Sequence, residues 1–313
     1  MIRNIKKLYA AAAGSILPAV SALLLQSCFT GIESTPKITA NDVRRENIVD
    51  RRENSFLADV VPSPLSRWEK GKRFYVTDDK ISIIFGLSSE SQGLKGSYIT
   101  YDSARDIVSI TGEPVAEIRF IDDDGHPLNY RAEKSLEELS GQASVSVPFT
   151  IEQSIVDEVR SRLNGNRYYV MTSMWYDAND QSLNGRKFIP VMVEEVEPGN
   201  SVYPVKVKLR TDDGIGFLLF MTTGANPKAP RSFPSLFSFD DPHLRYPNIT
   251  DENWQLIING RVARDMTRDE CRLALGAPSN ITRRNNNDYF FELWNYENGR
   301  YLVFQDGLLR DYR

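Results

Sequence analysis

The chain has 313 residues, and 41% hydrophobic with 26% charged residues is the balance of a folded globular protein of two or three domains. Its 38 basic and 42 acidic residues give a net charge of −4, with no basic excess to neutralise phosphates, so nucleic acid is not an expected partner. Two histidines and two cysteines exclude a zinc site of the Cys/His type and leave little for a histidine-based relay.

Arg3, Lys6 and Lys7 precede an apolar stretch, residues 8–25, that closes on Leu25-Gln26-Ser27-Cys28. This is the three-part form of a secretory signal. A small residue directly before a cysteine, after an apolar run, resembles a bacterial lipobox, in which Cys28 becomes the lipidated first residue. Gly14, Ser15 and Pro18 interrupt the run, whereas a membrane span prefers about 20 unbroken apolar residues. A simple cleaved signal is the second reading. Removing residues 1–27 takes away three cations and no acid, and it leaves Cys271 as the one thiol outside the anchor. Without a disulfide framework, stability must come from cores. Residues 28–64, rich in Ser, Thr, Asn and charge, read as a tether.

Two segments then echo each other. Gly71-Lys72-Arg73-Phe74-Tyr75-Val76 matches Gly165-Asn166-Arg167-Tyr168-Tyr169-Val170, and Ile118-Arg119-Phe120 before Asp123-Asp124-Gly125 parallels Val207-Lys208-Leu209 before Asp212-Asp213-Gly214. The nearly equal offsets imply two copies of one module, residues 65–147 and 148–225. Strands are predicted at 80–85, 96–101 and 115–121 in the first copy, and at 167–176, 186–196, 202–211 and 216–222 in the second. Residues 177–185 read as a long polar connection. Short strands at this spacing point to a small barrel or sandwich, and the second copy resembles bacterial SH3-like barrels in strand count and in its Gly-x-Arg-aromatic-Tyr-Val opening. A helix should precede it, with Thr150 and Gln153 forming a capping box and Ile151, Ile155, Val159 and Leu163 on one stripe up to Gly165. Residues 226–248, where five prolines alternate with Phe233, Phe237, Phe239 and Tyr246, read as an extended linker.

In residues 249–313, Thr250 and Thr267 are helix caps, with Glu270 completing a capping box for the second. Ile249 with Trp254, and Met266 with Cys271, stand at hydrophobic-staple positions. The first helix should stop at Asn259-Gly260 and the second at Gly276-Ala277-Pro278. Residues 289–296, 301–304 and 308–312 form strands joined by turns at Asn298-Gly299 and Asp306-Gly307. This stretch resembles the SmpA/OmlA (BamE-like) family of outer-membrane lipoproteins. The likeness rests on Met266-Thr267-x-x-Glu270, Leu275-Gly276-Ala277-Pro278, Trp294-x-Tyr296 and Val303-Phe304-x-x-Gly307-x-Leu309, with Asp265 where the family usually carries Gly. Each piece is a cap, a stop, a buried pair or a turn, so the resemblance implies an ααβββ fold and a role among envelope proteins.

The expected architecture is therefore mainly β with a small α+β domain: two tandem barrel- or sandwich-like modules followed by ααβββ. No Gly-x-Ser-x-Gly elbow and no phosphate-binding glycine loop occurs. His126 and His243 lie in turn and linker contexts, and Asp122-Asp123-Asp124-Gly125 lacks the spacing of a calcium loop. No catalytic residue, cofactor or metal is expected, and Cys271 reads as a small buried hydrophobe. The leading expectation is a non-enzymatic protein anchored through Cys28 to the outer membrane, on the periplasmic face, where it binds other envelope proteins. Trp294 and Tyr296 are its candidate partner-facing rings: Tyr289, Phe291 and Leu293 are assigned to the core, because the Trp294 face would carry Glu292 inward. The rival is a cell-wall or peptide-binding module using Tyr168, Tyr169, Trp175, Tyr176 and Tyr203. A hydrolase built on either histidine is the third reading.

Overall fold

The computed structural model describes residues 51–87, 93–286 and 289–313. The expected signal, Cys28 and the first part of the tether lie outside these residues. No helix among those described is long and apolar enough to cross a membrane. The fold is mainly β, in three antiparallel sheets with short helices between them.

The first sheet is built from β1 (Arg73–Val76), β2 (Tyr98–Val108), β3 (Pro114–Asp122), β4 (Pro127–Arg131) and β5 (Thr150–Glu152), in the order β4-β3-β2-β1-β5. The second uses β6 (Arg167–Val170), β7 (Met174–Tyr176), β8 (Ser182–Asn184), β9 (Ile189–Pro198), β10 (Val205–Thr211), β11 (Gly216–Met221) and β12 (Phe237–Ser238). It runs β12-β6-β9-β10-β11-β7-β8 and curls into a half-barrel. Register there is held by alternation: Val205, Val207 and Leu209 point inward, while Lys208 and Arg210 reach Glu195, Glu197 and Glu194 on β9.

The internal repeat is a repeat of architecture. In both copies the opening strand alternates out, in, half, in. Gly71 and Gly165 precede it at φ of +98° and +72°, and their amides donate to Tyr101 and Val193 carbonyls of the adjoining strand at 2.8 and 3.0 Å. The free edge of each opening strand is then covered by a later segment: β5 pairs with β1, and β12 pairs with β6.

Several local expectations give way to tertiary demands. Residues 80–85 form a helical turn, Ile81–Ile84, because the Asp78 carboxylate accepts the Lys80 amide at 2.9 Å and Gly86 ends the turn at φ +64°. The strand expected at 167–176 breaks into β6 and β7, and the polar connection after it contains β8. Thr150 does not cap a helix. It lies in β5, its hydroxyl donating to the Val147 carbonyl at 2.8 Å, and the helix Gln153–Leu163 begins after Glu152. That helix still buries Ile155, Val159 and Leu163 in the second core.

Both connecting segments contribute to cores. Before Pro64, the helix Arg51–Ser55 places Glu53 in the interior, where it accepts from the Ser238 hydroxyl at 2.7 Å and the Phe239 amide at 2.9 Å. Leu57 and Val60 enter the second core, and Arg162 forks onto Asp59 through two bonds of 2.7 Å, holding that carboxyl down near pKa 2. The segment expected as a linker supplies a short helix, Phe233–Leu236, and then β12. Its rings close on Phe56 and Tyr168, with Phe56–Phe233 centroids 4.7 Å apart.

The C-terminal region has helices Asp251–Ile258 and Arg268–Leu275, each capped by its predicted threonine, and Glu270 completes the box on the second. Asp265 takes φ +67°, a conformation glycine adopts more easily. The third sheet has four strands: β13 (Asn280–Asn286) precedes β14 (Tyr289–Asn295), β15 (Tyr301–Gln305) and β16 (Leu308–Tyr312), in that order across the sheet. The faces of β14 are the reverse of the expectation. Trp294 is 1% exposed, in the core beneath the helices, and Leu293 is 37% exposed. Glu292 points inward with Trp294 because it is fully partnered there: Arg283 stands 3.2 Å away, Arg268 3.6 Å, and the indole N–H of Trp294 donates to it at 2.9 Å.

Candidate interaction surfaces

Three of the seven aromatic residues singled out for partners serve cores instead, and Tyr169 and Tyr203 are half-buried. Tyr168, Trp175 and Trp294 are buried; Tyr176 and Tyr296 are half-buried. Trp175 lies flat on Phe217 with centroids 3.7 Å apart. Its other face is covered by Gly185, where a Cβ would stand 2.0 Å from the indole. The Tyr296 hydroxyl donates to the Gly276 carbonyl at 3.4 Å and is pushed up to about 12 by burial. Large rings bury large areas, and these small cores need them.

Each imidazole is held by an aspartate of its own turn. His126 Nδ1 is 3.2 Å from Asp122, and His243 Nδ1 is 2.6 Å from Asp241, its ring resting 4.1 Å from that of Trp254. Asp122, Asp124 and His126 bring ligand atoms within 4.8 Å of one another. The Asp122 carboxylate is already engaged there, accepting the Asp124 and His126 amides at 3.0 and 2.7 Å. Cys271 is buried; desolvation, reinforced by Glu270, pushes its thiol up to about 12, far from a reactive thiolate.

Two features remain open to a partner. The first is the outer face of the third sheet. Residues two apart on a strand share a face, so Tyr289, Phe291 and Leu293 line up on β14 with Tyr301 and Val303 beside them on β15. Tyr289 is 49% exposed, the others are half-buried or more open, and none of the five belongs to a hydrophobic core. Asn280, Thr282 and Arg284 border the stripe on β13, and Asp311 borders it on β16. Sequence reasoning identified the two faces of β14 and exchanged their roles, since it had no means of seeing the partners of Glu292.

The second is a half-open cavity of about 290 Å³ between the first and second sheets. Phe74, Val147 and Ile155 form its apolar wall, and Ser146, Asn200 and Thr223 its polar one. Glu152 lies in the wall with both oxygens engaged, by Lys72 at 2.8 Å and by Ser63. Nothing in the sequence pattern marked this cavity, because it forms only where the two modules meet.

Lys187 lies between the second sheet and the C-terminal helices, 9% exposed, its amide donating to the Ile258 carbonyl at 3.2 Å. Burial lowers its ammonium to about 8. The next residue, Phe188, takes φ +60° and sends its ring into the third core against Trp254. No family model matches the chain, and no curated protein sequence matches it.

Proposed function

We propose that this is a lipid-anchored, non-enzymatic protein of the bacterial cell envelope that docks other proteins through the outer face of its C-terminal sheet. The observation that carries the docking role is the row Tyr289, Phe291, Leu293 and Val303, an apolar stripe outside every core on a sheet whose other face sends Trp294, Leu302, Phe304 and Leu309 into the third core. Contiguous apolar surface of this kind marks interaction sites on soluble domains. The anchor rests on Arg3, Lys6, Lys7, the apolar run and Ser27-Cys28, and the outer membrane's periplasmic face is its proposed location. Labelled palmitate should mark the wild-type chain and spare Cys28→Ala; equal labelling of both would end the anchor reading. Leu293→Asp should fold normally by circular dichroism and lose co-purifying envelope proteins. Unchanged co-purification would remove this face from the account.

A second reading, cell-wall or peptide binding by the tandem modules, is favoured by the cavity of about 290 Å³ and its hydroxyl-bearing wall. It predicts that the full chain is retained on purified wall material and that Ser201→Trp, which fills the cavity mouth, is not. Equal retention of both proteins would dismiss it.

A further inference from the structure

We propose that the outer face of the third sheet is self-complementary and packs against the same face of a second copy of this chain. The inference rests on the reading of that face as a docking surface and adds its occupant. Its basis is the placement of charge around the apolar stripe. Arg284 is exposed on β13, one border of the face, directly beside Phe291 in the ladder. Among the described residues its guanidinium has no ion-pair or hydrogen-bond partner. Asp311 stands on β16, the opposite border, and the Tyr301 hydroxyl, donating to it at 3.3 Å, fixes its carboxylate on the same outer face.

A cation on one border and an anion on the other select one mode of self-association. Sheets stack face to face about 10 Å apart. A two-fold axis parallel to the strands, between β14 and β15, lays β13 of one copy over β16 of the next and β14 over β15. Leu293 and Val303, paired in one ladder row, then meet their counterparts across the interface. Arg284 lies two ladder positions from the second copy's Asp311, about 7 Å along the strand, which an arginine side chain spans. Arg313, just past the end of β16 and paired with Tyr301, stays about 13 Å from Arg284 along the strand. An axis perpendicular to the strands would instead set β13 over β13 and bring like charges onto one border, an arrangement charge repulsion disfavours. An isologous interface of this type closes at two copies and leaves no open face to propagate.

The test is photo-crosslinking in cells that express two differently tagged versions of the full-length chain, each with a photoreactive phenylalanine analogue at position 293. The expected product carries both tags, falls at least several-fold with Arg284→Glu, and returns in the double variant Arg284→Glu/Asp311→Arg. A two-tag product indifferent to Arg284→Glu would overturn the two-fold arrangement. A product joining the chain to a different protein would overturn the second copy as occupant and keep the docking face. No adduct from position 293 would overturn both.

Discussion

Inside the C-terminal domain, Trp294 has a ring contact with Phe304 at 4.7 Å and a hydrogen bond to Glu292, whereas its neighbour Leu293 faces outward. Trp294→Ala should therefore lower stability by about 3–5 kcal/mol, removing a core ring and an indole donor together. Leu293→Ala should cost less than about 1 kcal/mol, as surface substitutions do. Chemical denaturation of the two variants checks the order, and a larger loss at Leu293 would contradict it. The reason the faces were not legible is specific to Glu292. A carboxylate on a strand reads as solvent-facing, and only the arrival of Arg283 and Arg268 from elements outside that strand makes its burial tolerable. Lys187 is the opposite case, a buried cation with no ion pair among the described residues, its nitrogen 5.3 Å from the centre of the Phe188 ring. Its folded-state pKa of about 8 lies below the ordinary 10.5. Between those values the unfolded chain binds the proton more tightly, so stability rises with pH across that window and is flat below it. Lys187→Met should be more stable than wild type at pH 7 by up to about 3 kcal/mol, with the difference shrinking towards pH 10.5. A constant difference in denaturation midpoints across that range would refute it.

Among the elements, those specified by adjacent residues were legible and those specified by distant ones were not. The Thr267–Glu270 box needs only four residues in sequence, and both of its hydrogen bonds are made. Thr150 and Gln153 present the same spacing, yet the uncovered edge of β1 claims Thr150 for a strand. Strand β13, Asn-Ile-Thr-Arg-Arg-Asn-Asn, carries no apolar alternation and becomes a strand only because β14 offers it a seven-residue ladder. The residue after β8 shows how a glycine can be demanded by packing rather than by φ. Gly185 lies on the indole of Trp175, so Gly185→Ala should cost at least about 2 kcal/mol by overpacking. Gly216→Ala is the control, since a Cβ there meets only a carbonyl at 4.0 Å. Thermal melts of the pair that coincide would show that the hairpin yields to accommodate the methyl.

Across the whole molecule, the first two sheets are interlocked rather than strung in series. The chain enters at the second core through Glu53, Leu57 and Val60, leaves to build the first sheet, and returns through β5 to complete the second. Glu53→Ala strands the Phe239 amide and leaves Arg245, 3.5 Å from the carboxylate, without its buried partner. The expected loss is about 3 kcal/mol, within the range for breaking a buried charged contact. It should appear as a lower denaturation midpoint together with faster proteolysis within residues 51–64. Unchanged cleavage there would mean that the arm is held by Leu57 and Val60 alone. The echo of residues 71–76 in 165–170 pointed to two modules but not to this route, because a tether and a clamp have the same polar composition until their end contacts are known.

That route determines how the molecule would carry tension. In a chain held by lipid at Cys28 and pulled by a partner on the third sheet, the force enters at Glu53 and Arg162, passes through β12 and β6, and leaves by the segment that follows Ser238. The first sheet, though earlier in sequence than the second, lies off this line as a side branch. It would carry no direct tension as long as the Glu53 and Arg162 contacts hold.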